Sequence, residues 1–108
     1  MKKEEVWLAD LPQQSGKERE GRRPVLILSD TRVGLTIILP FTSTTKLSKY
    51  DHTITISRSN ENGLRINSTL SFFQIRSLDK KRLVHKMGIL EPHYMDKINK
   101  NLRNLLQL

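Results

Sequence analysis

The run Pro24-Val25-Leu26-Ile27-Leu28 constrains the fold more than any other stretch of the chain. It has no polar side chain, is entered from a charged loop and is left at Ser29-Asp30. A short apolar run bounded by turn signals is the pattern of a strand buried on both faces. Proline has no N–H to give to a ladder, so Pro24 is expected to begin the strand rather than sit inside it. It also holds Arg23 in an extended backbone. A guanidinium is thereby fixed at the mouth of a rigid strand, with Glu18 and Glu20 on the preceding loop. A fixed cation beside a carboxylate suits an anionic substrate. The plainer reading of the same charges is a solvated loop, because exposed ion pairs contribute no more than about 1 kcal/mol.

Short strands are expected on either side. Glu5 to Leu11 reads as a first strand, with Trp7 as a core or dimer-interface anchor, and residues 12–21 as a polar loop. Leu35 to Leu39 gives a third strand, with Pro40 breaking its ladder or marking a bulge. The hydroxyl run Thr42-Ser43-Thr44-Thr45 and a basic loop follow. Strict alternation from His52 to Ser57 predicts a half-exposed strand, and Asn62-Gly63 a turn. Ser68 to Arg76 reads as one strand whose phase slips between Phe72 and Phe73, as a bulge or burial on both faces would cause, with both rings in the core. Leu78 to Leu83 predicts a single helical turn capped by Ser77 or Asp79, and Val84 to Leu90 a last strand with a bulge at Gly88. From Pro92 onward, Met95, Ile98, Leu102, Leu105 and Leu106 fall on one helical stripe that packs on the sheet or across a dimer.

These elements predict a mainly β fold, a small, strongly bent antiparallel sheet or barrel with one C-terminal α-helix. The length of 108 residues suits a single domain. With no cysteine there is no disulfide framework and no thiolate chemistry. The charged opening Met1-Lys2-Lys3-Glu4-Glu5 lacks the apolar core of a signal peptide, and nothing reaches membrane-span length, so a cytoplasmic protein is expected. A net charge of +8 attracts polyanions, of which nucleic acid is the commonest inside a cell. P-loop, Rossmann and zinc-protease motifs are absent, and His52, His85 and His93 have no ligand spacing, so no metal or cofactor is expected.

Several blocks, in order, carry a resemblance: Val6-Trp7-Leu8-Ala9-Asp10-Leu11, Gly16-Lys17-Glu18, Gly21-Arg22-Arg23-Pro24-Val25-Leu26, Pro40-Phe41-Thr42-Ser43, and Gln74-Ile75-Arg76-Ser77-Leu78-Asp79-Lys80-Lys81-Arg82-Leu83. Together they resemble the MazF/PemK family of toxin endoribonucleases across nearly the whole chain. The resemblance implies an SH3-like barrel of the CcdB/MazF type, a homodimer, and metal-independent cutting of single-stranded RNA to 2′,3′-cyclic phosphate and 5′-hydroxyl ends. It maps the central catalytic residues onto Arg23 and Thr42, and the loop glutamate, the best candidate base, onto Glu18. Lys17 and Arg19 are implied to hold flanking phosphates, Ser43 to lend a second hydroxyl, and Gln74 to contact RNA. His52, at the head of its strand beside the basic loop, is a further RNA-binding candidate. The implied partner is an antitoxin with an acidic, disordered tail that folds into the basic groove.

The chain also departs from one branch of the family. PemK-like members use an arginine and an aspartate where this chain has Ser71 and Phe73, and a histidine where it has Lys17. It is therefore closer to the MazF branch, with Phe72 or Phe73 available to stack on a base. Two alternatives stand beside the nuclease reading. One is a family member that binds nucleic acid without cutting. The other is a CcdB-like gyrase poison, against which counts the end Asn104-Leu105-Leu106-Gln107-Leu108, where the tryptophan of that group is missing.

Overall fold

The computed structural model describes residues 2–11, 21–43 and 51–108. Seven strands, β1 (Glu5–Leu11), β2 (Gly21–Asp30), β3 (Leu35–Thr42), β4 (Thr53–Ile56), β5 (Ser68–Ser71), β6 (Arg76–Asp79) and β7 (Leu83–Ile89), precede one helix, α1 (Pro92–Leu106). All pairings are antiparallel, in the order β4-β5-β3-β2-β1-β7, with β6 also on β3.

The strand β2 is buried on both faces, as its composition requires. Leu26 enters a core shared with Val6, Leu39, Phe41, Leu70, Phe72 and the helix residues Met95 and Ile98. Its neighbours Val25 and Ile27 enter a second core with Ala9, Ile38 and Leu78, against which Trp7 packs. The helix stripe lies on the first core through Met95, Ile98, Leu102 and Leu105, while Leu106 stays exposed.

Both prolines depart from expectation in the same way. Pro24 lies inside β2, opposite Leu8, and Arg23 is itself paired with Ala9. The β2–β3 pairing reaches only Val25, so at Pro24 the strand has a neighbour on one side alone. Pro40 is likewise inside β3, opposite Val25, at the gap where the other edge of β3 passes from β6, ending at Ile38, to β5, beginning at Phe41. A residue without an N–H is tolerated where one edge is unpaired.

The expected strand over 68–76 is also interrupted. A 3₁₀ turn over Phe72–Gln74 separates β5 from β6, and this turn, not a bulge, causes the phase slip. It buries Phe72 completely and leaves Phe73 65 % exposed, edge-on to His52 at 5.0 Å between ring centroids. His52 does not open β4 but precedes it, in the left-handed region at φ 64°. The expected turn after Leu78 is a 3₁₀ turn over Lys80–Arg82, whose cap is Asp79, accepting from Lys81 N at 2.9 Å.

The β1–β7 ladder breaks where Gly88 was expected to bulge it: Val6 faces Gly88, but Trp7 faces Lys86. The bulge receives the turn that follows Ser59. A Cβ on Gly88 would strike the Glu61 carbonyl, and one on Gly63, at φ 72°, would strike the backbone carbonyl of Met87. Gly34 also has a positive φ, 82°, yet nothing lies within 4 Å of its absent Cβ. Gly34→Ala should therefore cost only the left-handed penalty, about 1–2 kcal/mol, whereas Gly63→Ala must also push two backbones apart. Thermal unfolding of the two variants checks this, and equal losses would contradict the backbone contact.

Candidate active site

The β2–β3 pairing ends at Val25–Pro40, and Arg23 and Thr42 lie two residues beyond it, one on each strand. The two line one cleft of about 470 Å³. Its other polar lining is Arg22, Ser43, Arg65, Ser68 and His85, and its apolar lining is Leu8, Pro24, Phe41, Leu64, Ile66 and Met87. Among the described residues no carboxylate lines it. Arg22 is partly neutralised, donating from Nε to Asp10 Oδ1 at 3.1 Å on the exposed rim. Arg23 and Arg65 make no ion pair with a described residue. Two uncompensated guanidiniums and hydroxyl donors over an apolar floor suit a phosphate with an organic group on each side.

Of the residues expected from the sequence, the structure thus gathers Arg23, Thr42 and Ser43. Gln74 and His52 do not line the cleft; Gln74 is exposed in the 3₁₀ turn beyond β5, next to Phe73, whose ring meets His52. Glu18, Lys17 and Arg19 lie outside the described residues. Arg22, Arg65 and His85 were not singled out beforehand as cleft residues. Arg22 stood within a quoted block, but Arg65 follows a turn and no periodicity marks it. Among the described residues, no cluster of three or more His, Cys, Asp or Glu side chains could hold a metal ion, and no helix is long and apolar enough to cross a membrane.

The wall that carries Arg65 is held by a buried amide. Asn62 is fully buried; its Oδ1 accepts from Ser59 N at 3.1 Å and Leu64 N at 3.0 Å, and its Nδ2 donates to Ser57 O and Glu91 Oε1, both at 3.0 Å. Ser59 Oγ donates to the other Glu91 oxygen at 2.9 Å. All four hydrogen-bonding positions of the amide are therefore used, and the turn leading into Leu64 and Arg65 is tied to the start of α1. At the other edge, the Glu5 carboxyl is held below its usual range: burial opposes ionisation, but hydrogen bonds from Trp7, the Lys2 backbone and Lys86, with the Lys86 charge, outweigh it.

A profile of PemK-like, MazF-like toxins of type II toxin-antitoxin systems matches residues 2–106. The chain is 31 % identical over 112 residues to the endoribonuclease EndoA of Bacillus subtilis, covering 100 % of this chain and 96 % of that protein. It is 34 % identical over 103 residues to the endoribonuclease MazF of Staphylococcus saprophyticus, covering 92 % and 85 %. Its fold is that of a mycobacterial endoribonuclease solved in complex with its cognate antitoxin, at a TM-score of 0.75 and 24 % identity over 98 % of this chain and 94 % of that one. The small antiparallel barrel with a C-terminal helix is the architecture they share.

Asn62→Asp tests the wall directly. It keeps both accepting positions but sets a carboxylate against Glu91, so a loss of at least about 2 kcal/mol is expected from burying an unpaired charge. Glu91→Gln in the same chain should restore most of that loss. Denaturant unfolding of the two single variants and the double variant gives the coupling, and additive losses would contradict the network.

Proposed function

The chain belongs to the family of PemK-like, MazF-like toxins of type II toxin-antitoxin systems, and from that premise we propose that it is a metal-independent, sequence-specific endoribonuclease. In this reading residues 1–108 form one toxin domain that acts as a cytoplasmic homodimer on single-stranded RNA. RNA carries its own nucleophile, the 2′-OH, so cleavage requires three things of the protein: removal of that proton, stabilisation of charge on the five-coordinate phosphorus, and departure of the 5′-oxygen. Arg23 supplies the second, because its planar fork meets two phosphate oxygens and its charge persists at every working pH. Thr42 donates to the same phosphate, with Ser43 beside it. Glu18 is the assigned base, Lys17 and Arg19 hold flanking phosphates, and Gln74 and His52 contact RNA outside the cleft.

The observation that supports this most strongly is the meeting of Arg23 and Thr42 in one cleft with no carboxylate among the described residues. Preorganised donors of this kind are worth roughly 10²–10³-fold each. Arg23→Ala should lower cleavage of a long unstructured RNA by at least that factor without lowering thermal stability, with wild-type cutting unchanged in EDTA and products ending in 2′,3′-cyclic phosphate and 5′-hydroxyl. Undiminished cutting by the variant would remove the mechanism, and RNA bound but never cut by the wild type would favour a binding-only role.

The partner proposed is an antitoxin whose acidic, disordered tail lies along the arginine-lined cleft, folds as it binds and excludes RNA. Attraction between exposed charges is screened by salt. The complex should dissociate more readily as ionic strength rises in a binding titration, and a salt-insensitive affinity would contradict a charge-based seat.

A further inference from the structure

One side chain in the cleft is an imidazole, the group used most often in general acid–base catalysis, and it arrives from the far side of β1. Leu8 is paired with Pro24 on one side and with His85 on the other. Directly opposed residues project to the same face of a sheet, so Leu8, Pro24 and His85 share one, and all three line the cleft. Two strand spacings separate His85 from Pro24, roughly 10 Å between backbones. Arg23, the residue before Pro24, lines the same cleft, which therefore has a guanidinium on the β2 bank and the His85 ring on the β7 bank.

The placement depends on the bulge. Had the ladder run unbroken from the Glu5–Ile89 pair, Lys86 would stand opposite Leu8. The shift between Val6 and Trp7 skips Met87, brings His85 into that place, and leaves Lys86 to pair with Glu5 Oε2 at 3.3 Å. Bulges beside active sites commonly re-aim a side chain in this way. His85 Nδ1 lies 3.3 Å from the carbonyl oxygen of Lys86. A carbonyl only accepts, so Nδ1 carries the hydrogen and Nε2 is the nitrogen left to exchange a proton.

We infer that His85 is the general acid of this cleft, delivering a proton from Nε2 to the 5′-oxygen as it leaves. The inference rests on the nuclease reading above. The step balances as follows: the 2′-OH gives its proton to the base, the 2′-oxygen bonds to phosphorus, the bond from phosphorus to the 5′-oxygen breaks, and that oxygen takes the Nε2 proton. The imidazole then regains a proton from water. The charged groups around the ring are Arg22 and Arg23 from β2, Arg65 from the segment before β5, Lys86 beside it and Asp10 on β1, salt-bridged to Arg22.

The test compares two RNAs of one sequence, one ordinary and one with sulfur in place of the 5′-bridging oxygen, a leaving group that departs without protonation. Single-turnover rates are measured for the wild type, His85→Ala and the closer mimic His85→Gln, with RNA affinity alongside. Both variants should cut ordinary RNA about 10²–10⁴-fold more slowly, bind RNA as before, and cut the sulfur substrate at the wild-type rate. Wild-type cutting of ordinary RNA by either variant would overturn the assignment, as would equal slowing on both substrates. A wild type that cuts neither RNA fails earlier, at the nuclease reading, and takes this assignment with it.

Discussion

The burial of β2 on both faces is the constraint on which the site depends. Leu26 points into one core while Val25 and Ile27 point into the other, so the strand can neither rotate nor slip by a residue without emptying both. Its pairing with β1 runs from Leu26 out to Gly21 and fixes Arg22 and Arg23 as part of the sheet. Its pairing with β3 stops at Val25. The side chains after that point therefore stand on a rigid base but face open space. A cationic fork placed in this way loses little conformational freedom on meeting a phosphate.

Three separate devices complete the cleft around that base. Pro24 and Pro40 occupy the positions where β2 and β3 each lack one neighbour, which lets the two strands splay without wasting N–H donors. The Asn62 amide and the close approach of Gly63 to Met87 bring the Arg65 wall against β7. The register shift at Met87 sets which residue of β7 looks inward. Each is a backbone solution to a packing problem, and each ends by aiming a polar side chain at the same volume.

Most of the architecture was legible because its signals are local. The apolar run of β2, the stripe on α1, the Asn62-Gly63 turn and the Asp79 cap all lie within a few residues of the feature they specify. The prolines were misread because a proline's tolerance depends on whether a neighbouring strand is present, and no local pattern shows that. The Phe72–Phe73 slip announced an interruption without telling a bulge from a 3₁₀ turn, and so the exposure of Phe73 was missed. Arg23, Thr42 and Ser43 could be picked out through family-like blocks, and the cleft brings them together. Arg65 and His85 could not, because they reach it only through a turn and through a ladder whose register changes at a bulge. Counting along the chain would have put Lys86 where His85 stands.

The account makes one spatial claim above all: the scissile phosphate sits between Arg23 and Thr42. A crystal structure of the chain with an RNA made uncleavable by a single 2′-deoxy nucleotide at the cut site would test it most directly. The phosphate following that nucleotide should lie within hydrogen-bonding distance of the Arg23 guanidinium and the Thr42 hydroxyl, with its 5′-oxygen turned toward His85. An RNA seated elsewhere on the basic surface, with the cleft between β2 and β3 empty of phosphate, would contradict it.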